Sequence, residues 1–453
     1  MGNLFGTDGI RGTANEDPMT PEMAVKAGKA IAFYFSEKYR TDNNKKGIVV
    51  GRDTRISGPM LENALVSGIS SMGVDAYLTG VLPTPGIAHM VLVEKAFAGI
   101  VISASHNPYF DNGIKIFDGN GFKLSDKSET KIENLILGEQ NKHLNKGIKK
   151  TGKIFKIKNP CNKYVTFLKH SVPNGFSLNK IKIILDCANG AVFQTAPKIF
   201  KELGADVESM FIEPDGVNIN ANCGSEHPDA LKRKVVEKGA DIGLAFDGDG
   251  DRLIAIDENG MKASGDQIIA VCANHLKKQN KLKNNKVVTT VMSNMGLGAV
   301  LKKLDIHHTA SKVGDRYVME MMKSEGAALG GEDSGHMIFL DHHTTGDGIL
   351  AALKLLGAVV VDQKPLSRLL KIMDIFPQEL INVEVKSKPE IDTVSAIMDA
   401  INTAESALEK KGRVLVRYSG TQPICRVMVE GPSEDETKKY CEMIADAVRK
   451  NLA

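Results

Sequence analysis

Short β-branched runs alternate with helical stretches along this chain, and the alternation limits the folds open to it more than any other feature. The runs occupy residues 98–103, 181–186, 242–246 and 287–291, with helix-forming sequence between them. This rhythm predicts layered α/β domains whose functional residues lie in the loops after the strands. With 453 residues the chain is too long for one hydrophobic core, so we expect several domains.

Breaks in the pattern indicate where these domains end. A polar, lysine-rich stretch covers residues 141–158, a turn covers 257–260, and a further break at 376–378 precedes a strand at 381–385. The last segment differs in character, with a helix at 391–409, two paired strands and a helix capped by Ser433. We therefore expect domains at residues 1–150, 151–257, 258–375 and 376–453.

Composition excludes several classes of partner. The 58 basic and 55 acidic residues give a net charge of only +3, and 5% of the residues are aromatic, so nucleic acid is not an expected partner. The longest apolar runs are too short to cross a bilayer, and no leader pattern opens the chain. Six cysteines without paired spacing are typical of reduced thiols. We expect a cytoplasmic protein with no membrane partner.

The run at 98–103 leads directly into Ser105-His106-Asn107-Pro108. Because Asn-Pro disfavours helix and forces a turn, it would present the Ser105 hydroxyl at the carboxyl end of a strand, where α/β folds place their chemistry. His106 can position or deprotonate a hydroxyl, and Lys115 can neutralise a phosphoryl group. The pattern indicates a held nucleophile, although a serine that only satisfies a turn is the simpler alternative.

Three carboxylates alternate at Asp247, Asp249 and Asp251, an arrangement that suits a hard divalent cation. An EF-hand loop is one alternative, but Arg252 stands where that loop requires glycine, and strand-like sequence flanks the motif. An aspartyl-phosphate enzyme with Asp247 as nucleophile is a second alternative, and a solvated acidic turn is a third. Because close carboxylates repel one another, the motif favours a cation, with Mg²⁺ ahead of Ca²⁺ if phosphates complete its shell.

Two further loops contain groups that suit a phosphosugar. Residues 330–336 place the Glu332 carboxylate two residues from the Ser334 hydroxyl, a spacing suited to neighbouring sugar hydroxyls, although a plain turn is the alternative. Residues 417–423 together with Arg426 supply two guanidiniums, two hydroxyls and a glycine, which is a suitable cradle for a phosphate dianion.

These four loops, in this order, resemble the serine, metal, sugar and phosphate loops of the α-D-phosphohexomutase superfamily. The similarity extends to residues 5–12, 51–58, 215–220, 223–225, 292–294 and 313–318. The resemblance implies an α/β fold with four domains around a central cleft. Three of them would be α/β domains with mixed sheets, and the smaller C-terminal domain would be α+β.

The resemblance also implies roles for the residues of each loop. Ser105 would be a phosphoserine, and its phosphate together with Asp247, Asp249 and Asp251 would bind Mg²⁺. Glu332 and Ser334 would hold the sugar. The non-reacting phosphate would be bound by Arg417, Ser419, Gly420, Thr421 and Arg426. The reacting end would be lined by Lys115, His106, Arg11 and Arg252, with Lys312 and His336 as further cleft residues.

The implied reaction interconverts glucosamine 6-phosphate and glucosamine 1-phosphate through a glucosamine 1,6-bisphosphate intermediate, and it supplies UDP-N-acetylglucosamine synthesis. The expected partner is thus a small phosphosugar, and the family suggests a homodimer. Phosphomannomutase or phosphoglucomutase activity is the alternative within the superfamily. A metal-dependent phosphatase that uses Asp247, or a sugar-phosphate sensor without turnover, is the alternative from another class.

Overall fold

A computed structural model describes residues 4–6, 8–42, 44–138, 144, 150–409, 411–419 and 423–453. It divides the chain into two compact units. The first unit comprises Met1–Val291 and Ile306–Ile372, and the second comprises Met292–Asp305 and Met373–Ala453. Within the described part of the chain, no helix combines the length and the apolar character needed to cross a bilayer.

The first sheet of unit one carries the serine loop. Its strands, in spatial order β1-β5-β4-β2-β3-β6, are β1 (Ile10–Thr13), β2 (Ile48–Arg52), β3 (Ala76–Val81), β4 (Ala98–Ile102), β5 (Asp111–Asp118) and β6 (Ile154–Lys156). The central strands are parallel, with Val50 opposite Ile100, whereas β5 runs antiparallel to both β4 and β1. Every residue of β4 is buried. The sheet thus fixes the position at which the serine loop begins.

Helices cover both faces of this sheet. They are α1 (Pro21–Lys38), α2 (Gly58–Ser71), α3 (Thr84–Val93) and α4 (Asp126–Leu137). The Thr20 side chain accepts a hydrogen bond from the Met23 amide and caps the start of α1. Ile31 and Leu65 belong to one apolar core with Ile100, whereas Ile87 of α3 belongs to a second core with Val101. The alternation of β4 residues between two cores explains its continuous apolar sequence.

The second sheet carries the metal loop. A connecting helix, α5 (Pro160–His170), precedes β7 (Lys182–Asp186), α6 (Thr195–Glu202), β8 (Asp206–Met210), α7 (Asp229–Lys238), β9 (Ile242–Phe246), β10 (Leu253–Asp257) and β11 (Lys262–Ala263). The strand order is β11-β10-β9-β7-β8. Strands β9 and β10 pair antiparallel, with Phe246 opposite Leu253. Residues 247–252 therefore form the tip of a buried hairpin.

The third sheet carries the sugar loop. Its elements are α8 (Gly265–Lys278), β12 (Lys286–Thr290), β13 (His307–Ser311), α10 (Asp315–Glu325), β14 (Leu329–Gly331), β15 (Met337–Phe339), α11 (Gly348–Asp362) and α12 (Leu366–Leu370). The helix between β12 and β13, α9 (Met295–Lys303), belongs to the second unit. The strand order is β13-β12-β14-β15. A reciprocal capping box between Ser264 and Gln267 starts α8. The antiparallel pair β14 and β15 presents residues 332–336 at its tip.

The second unit is a smaller α+β structure. It contains α9, β16 (Gln378–Glu384), α13 (Ser395–Leu408), β17 (Arg413–Tyr418), β18 (Ile424–Glu430) and α14 (Glu434–Leu452), with strand order β16-β18-β17. Ile397 and Ile444 of its helices share a core with Val427 of the sheet. The Ser433 side chain accepts a hydrogen bond from the Glu436 amide, as predicted. The helix expected at 391–409 begins only at Ser395, because residues 391–393 form a separate 3-10 turn.

Candidate active site

Ser105 lies three residues beyond the end of β4, in a turn closed by a 3.1 Å hydrogen bond from the Asn107 amide to the Ala104 carbonyl. Its φ of 53° is in the left-handed region, which is uncommon for a residue with a side chain. The Ser105 amide donates to Ser103 Oγ at 2.9 Å, and its carbonyl accepts from Asn220 Nδ2 at 2.9 Å. Side chains therefore hold the serine backbone in a conformation that it would rarely adopt alone.

The Ser105 hydroxyl faces a carboxylate and an imidazole. Its Oγ donates to Asp247 Oδ2 at 2.6 Å and lies 3.3 Å from His106 Nδ1. Burial, followed by the nearby Arg252 charge, lowers the pKa of His106 to about 4. The imidazole is therefore neutral at neutral pH and can accept a proton. The Ser105 hydroxyl thus lies within hydrogen-bond distance of a carboxylate and a neutral imidazole, a geometry that suits a nucleophile.

The metal loop approaches the serine loop closely. A Cβ built on Gly248 would lie 2.6 Å from the Ser105 carbonyl oxygen, so only glycine permits this approach. Asp247, Asp249 and Asp251 are buried, and one carboxylate oxygen from each lies within 4.8 Å of the others. Strands, not helices, flank the loop. This arrangement rules out the EF-hand alternative.

The three carboxylates fit a hard divalent cation. Burial, then the charges of Asp251 and Asp249, raise the pKa of Asp247 well above its usual range. Among the residues described, the buried Oδ1 atom of Asp249 has no hydrogen-bond partner. A bound cation would relieve the repulsion and use that oxygen as a ligand, and an all-oxygen donor set is what Mg²⁺ and Ca²⁺ prefer.

Neighbouring segments hold the metal loop in place. The Thr84 amide donates to the Asp249 carbonyl at 2.9 Å, and the Ala191 amide donates to the Gly248 carbonyl at 2.8 Å. The Gly348 amide, at the start of α11, donates to the Gly250 carbonyl at 3.1 Å. Segments associated with all three sheets of the first unit thus fix this loop.

Lys115, on β5, lies among carboxylates. Its ammonium is 2.8 Å from Asp249 Oδ2, 3.0 Å from Asp8 Oδ2 and 3.5 Å from Asp251 Oδ2. Burial alone would lower the pKa of Lys115, but the charges of these carboxylates outweigh burial and raise the pKa well above its usual value. The side chain therefore carries a fixed positive charge beside the metal loop.

A closed ring of side chains extends from this lysine. In order, the ring consists of Asp8, Lys115, Asp251, His336, Asp315 and Lys123, each in ion-pair contact with the next. Acidic and basic groups alternate around it when His336 is protonated. Burial alone would lower the pKa of His336, but the charges of Asp251 and Asp315 raise it. The ring links segments next to all three sheets of the first unit.

Two predicted arginines lie at the same site. Arg11, on β1, donates to Asp8 Oδ2 at 2.5 Å. The Arg252 amide donates to Asp247 Oδ1 at 3.1 Å, and its guanidinium contacts Glu226 Oε1 at 3.2 Å. Both guanidiniums lie close enough to the His106 imidazole for their charges to lower its pKa, so Arg11 and Arg252 lie at the same site.

The sugar loop packs directly on the metal hairpin. The Leu253 amide donates to the Gly335 carbonyl at 3.0 Å, and His336 forms a β-bridge with Arg252. Gly335 has a φ of 90°, and a Cβ there would lie 2.2 Å from the Leu253 carbonyl oxygen. Glycine at this position therefore brings the sugar loop close to the three aspartates.

The polar groups of the sugar loop differ in their contacts. Glu332 Oε1 accepts from the Gly314 amide at 3.0 Å, and burial raises the pKa of this carboxyl. The buried Ser334 Oγ has no hydrogen-bond partner within the described ranges of the chain. Lys312 is exposed in the loop after β13. Glu332 and Ser334 thus offer a carboxylate and a hydroxyl beside the metal loop.

The predicted phosphate loop belongs to the second unit. Arg417 on β17 lies directly opposite Arg426 on β18, and the Nε atom of each is buried without a hydrogen-bond partner in the part of the chain that is described. Burial, then the Arg426 charge, lowers the pKa of Arg417. Two adjacent guanidiniums favour an anion between them. Ser419 is buried beside them, whereas Gly420 and Thr421 lie outside the described residues.

Sequence reasoning assigned no role to several residues that contact this site. They are Asp8, Asp53, Arg55, Thr84, Lys123, Asn220 and Asp315. Most of them lie in stretches that match the superfamily, and this match is the sequence feature from which a role at the site could have been predicted. Nothing in the sequence distinguishes Thr84 or Lys123 from ordinary surface residues.

Comparison with protein families matches four successive segments of the chain. They correspond to phosphoglucomutase/phosphomannomutase alpha/beta/alpha domain I at residues 2–143, domain II at 162–260, domain III at 264–376 and the C-terminal domain at 380–447. This result confirms the predicted four-domain α/β architecture.

Solved structures with the same fold include a phosphoglucomutase/phosphomannomutase family protein from Burkholderia thailandensis, with a TM-score of 0.80, 22% identity and 98% of each chain covered. A second is the Aspergillus fumigatus N-acetylphosphoglucosamine mutase in complex with GlcNAc-6P and magnesium, with a TM-score of 0.69 and 17% identity. A variant of that enzyme, in complex with glucose 1,6-bisphosphate, has a TM-score of 0.67 and 17% identity. In both Aspergillus comparisons, 99% of this chain and 95% of the other are covered.

Full-length relatives are closer in sequence. The phosphoglucosamine mutase of Syntrophus aciditrophicus is 57% identical, with 100% of both chains covered. That of Syntrophobacter fumaroxidans is 56% identical, with 99% of both chains covered. These similarities confirm the predicted superfamily and its isomerase class. The chain belongs to the phosphoglucosamine mutase family of the α-D-phosphohexomutase superfamily.

Proposed function

We propose that this enzyme interconverts glucosamine 6-phosphate and glucosamine 1-phosphate by carrying a phosphoryl group on Ser105. The observation that carries the proposal is the buried Ser105 hydroxyl, 2.6 Å from Asp247 and 3.3 Å from His106. The names of relatives up to 57% identical over the full length support glucosamine phosphates as the substrates. The product would supply UDP-N-acetylglucosamine synthesis.

The first half-reaction transfers a phosphoryl group to the sugar. The bond between Ser105 Oγ and phosphorus breaks, a bond between phosphorus and O1 of glucosamine 6-phosphate forms, and a proton moves from the O1 hydroxyl to Ser105 Oγ. We assign His106 as the group that carries this proton from O1 to Ser105 Oγ, because its lowered pKa leaves the imidazole neutral and its Nδ1 lies 3.3 Å from Ser105 Oγ. The product of this step is glucosamine 1,6-bisphosphate, and the complex of a neighbouring structure with glucose 1,6-bisphosphate supports such an intermediate.

In the second half-reaction the bisphosphate binds in the opposite orientation. The bond between phosphorus and O6 breaks, a bond between phosphorus and Ser105 Oγ forms, a proton moves from Ser105 Oγ to O6, and glucosamine 1-phosphate leaves. We assign sugar binding to Glu332 and Ser334, whose carboxylate and hydroxyl can bond sugar hydroxyls in either orientation. Lys312 and His336 are further groups at the sugar. Binding of the non-reacting phosphate is assigned to Arg417, Ser419, Gly420, Thr421 and Arg426, on the basis of the paired guanidiniums and the superfamily pattern.

Positive charge at the reacting end stabilises the transferring group. Lys115, Arg11 and Arg252 supply positive charge to the oxygens on which negative charge develops. The fixed charge of the buried Lys115 ammonium supports this role. Because these cations are held by ion pairs before substrate arrives, little reorganisation is needed during transfer.

We further propose that Asp247, Asp249, Asp251 and the phosphate on Ser105 hold Mg²⁺. A bound Mg²⁺ would neutralise charge on the phosphoryl oxygens. The all-oxygen donor set and the superfamily support this choice of ion. A homodimeric state and a cytoplasmic location remain predictions, for which sedimentation analysis and cell fractionation are the tests.

Mass spectrometry of the intact protein tests the phosphoserine. After incubation with glucosamine 1,6-bisphosphate, the wild type should gain one phosphoryl group that survives hydroxylamine, and Ser105→Ala should gain none. A phosphoryl group on Asp247 would be an acyl phosphate, which hydroxylamine cleaves. A hydroxylamine-sensitive adduct that persists in Ser105→Ala would therefore contradict the proposal and favour the phosphatase alternative.

A further inference from the structure

The structure assigns a positioning role to the ion pair between Asp53 and Arg55, in the loop that follows β2. We propose that this pair holds Ser105 in its left-handed conformation and thereby directs Oγ toward Asp247. The inference rests on the proposed function, because it concerns the delivery of a phosphoryl group from Ser105. Neither residue contacts the reacting atoms, so both act through the serine loop.

Arg55 binds the carbonyl side of the loop. Its side chain is fully buried. The guanidinium donates to the carbonyl oxygens of Ser105 at 2.9 Å, Asn107 at 2.8 Å, Asp111 at 3.0 Å and Pro108. A single planar group thus spans the Asn-Pro turn and the start of β5. Lysine has the same charge but a single ammonium, so it cannot reproduce this pattern.

Asp53 completes the arrangement on the amide side. Its Oδ2 accepts from Arg55 Nε at 2.9 Å and from Ser103 Oγ at 2.6 Å, and its Oδ1 accepts from the Arg55 amide at 3.0 Å. Ser103 Oγ in turn accepts from the Ser105 amide at 2.9 Å. The amide and the carbonyl of Ser105 are therefore both tied to one buried ion pair.

Stabilisation of the fold alone does not explain the Asp53–Arg55 pair and its hydrogen bonds to the serine loop. Left-handed backbone is unfavourable for a residue with a Cβ and persists only where its surroundings over-determine it. A buried ion pair is not an efficient means of stabilising a fold, since apolar residues of similar volume often serve as well. The bonds from this pair converge on the residue that bears the nucleophile. Positioning of Ser105 accounts for both features.

The expected consequence of losing the pair is a misaligned phosphoserine. In-line transfer depends on the placement of the reacting atoms, and a shift of about 1 Å can lower a rate roughly 100-fold. Phospho-Ser105 would still form, but it would transfer its group to sugar slowly and lose more of it to water. The KM for glucosamine 1-phosphate should change little, because no residue assigned to sugar binding is altered.

The test compares Ser103→Ala and Arg55→Lys with the wild type, in steady-state assays for kcat and KM and in a single turnover of phosphorylated enzyme. The readout is the partition ratio, defined as phosphoryl groups transferred to glucosamine 1-phosphate divided by inorganic phosphate released. Ser171→Ala is the matched control, because it deletes another buried serine hydroxyl outside the serine loop. The Ser171 hydroxyl donates to the Leu168 carbonyl at 2.7 Å. We expect a kcat about 10- to 100-fold lower and a reduced partition ratio in both test variants, with wild-type values in the control.

A purely structural role predicts a different result. It would lower the fraction of folded protein, while the folded remainder kept the wild-type partition ratio and kcat per phosphoserine. That outcome in Ser103→Ala overturns the inference, even if Arg55→Lys fails to fold. Failure of the wild type to form phosphoserine would instead refute the proposed function, so the two failures are distinguishable.

Discussion

Replacing Thr84 by valine should weaken cation binding at the aspartate cluster without disturbing the fold. Thr84 is buried at the start of α3, and its Oγ1 donates to Asp249 Oδ2 at 2.6 Å. Valine has nearly the same shape, and the bond from the residue 84 amide to the Asp249 carbonyl is retained. The substitution therefore removes one hydrogen bond from one carboxylate.

The expected loss of cation affinity depends on the contacts that Asp249 keeps in Thr84→Val. Asp249 Oδ2 keeps its 2.8 Å contact with Lys115, so the carboxylate is only partly released. Loss of a group that orients a metal ligand typically lowers metal affinity 10- to 100-fold, and the retained lysine places this case near the lower limit. A tenfold change corresponds to about 1.4 kcal/mol of binding free energy. The free energy of unfolding should fall by about 1 kcal/mol, the net contribution of one hydrogen bond.

Titration of the chelator-treated protein with Mn²⁺, followed by electron paramagnetic resonance, measures the affinity directly. Thr84→Ser should restore most of it, because serine supplies the same hydroxyl. Thr79→Val is the control, since it deletes a buried hydroxyl that donates to the Gly80 carbonyl at 3.0 Å. Equal Mn²⁺ affinities for Thr84→Val, Thr79→Val and the wild type would show that the Thr84 hydroxyl does not support cation binding.

Three further predictions concern stability. Lys123→Met removes the cation shared by the part-buried carboxylates of Asp8 and Asp315, which keep Lys115 and His336 as partners, so urea denaturation should show a loss of about 1.5–3 kcal/mol, against less than about 1 kcal/mol for Lys169→Met at an exposed pair. Burial raises the pKa of Asp186 from 3.8 to about 6, so the folded state binds the Asp186 proton more tightly than the unfolded state does. The free energy of unfolding should therefore fall by about 3 kcal/mol as pH rises from about 4 to above 6. Asp186→Asn should flatten this pH dependence, and an unchanged profile would contradict the assignment to Asp186. Adding Mg²⁺ at about 100 times its Kd to chelator-treated enzyme should stabilise it by about 2.7 kcal/mol, seen as a higher Tm, and an equal rise in Asp247→Asn would exclude that carboxylate as a ligand.

The elements that position the chemistry could be predicted because local signals specify them. The apolar run before Ser105 and the Asn-Pro turn after it determine a strand that ends on a hydroxyl, and β4 ends at Ile102. The apolar sequence around Asp247 and Asp251 likewise predicts the strands β9 and β10. The cap at Ser433 is confirmed because capping depends on residues only a few positions apart.

Contacts between distant segments could not be predicted. Arg55 and Ser105 are 50 positions apart, and they meet because β2 and β4 are neighbours in the sheet, a pairing that neither segment specifies alone. The alternating ring depends in the same way on segments from all three sheets of the first unit, of which Lys123 gave no signal. The domain limits at 150, 257 and 375 stay predictions, as do the roles of individual site residues.

Turnover of phosphosugars by the Ser105-phosphorylated enzyme with Mg²⁺ is the most direct test of glucosamine phosphate interconversion through phospho-Ser105. Phosphorus NMR would follow glucosamine 1-phosphate, glucose 1-phosphate and mannose 1-phosphate in parallel, with Ser105→Ala as the control. We expect a clear preference for conversion of glucosamine 1-phosphate to the 6-phosphate, and no conversion by the variant. Equal or faster conversion of the other two esters, or conversion that persists in Ser105→Ala, would contradict it.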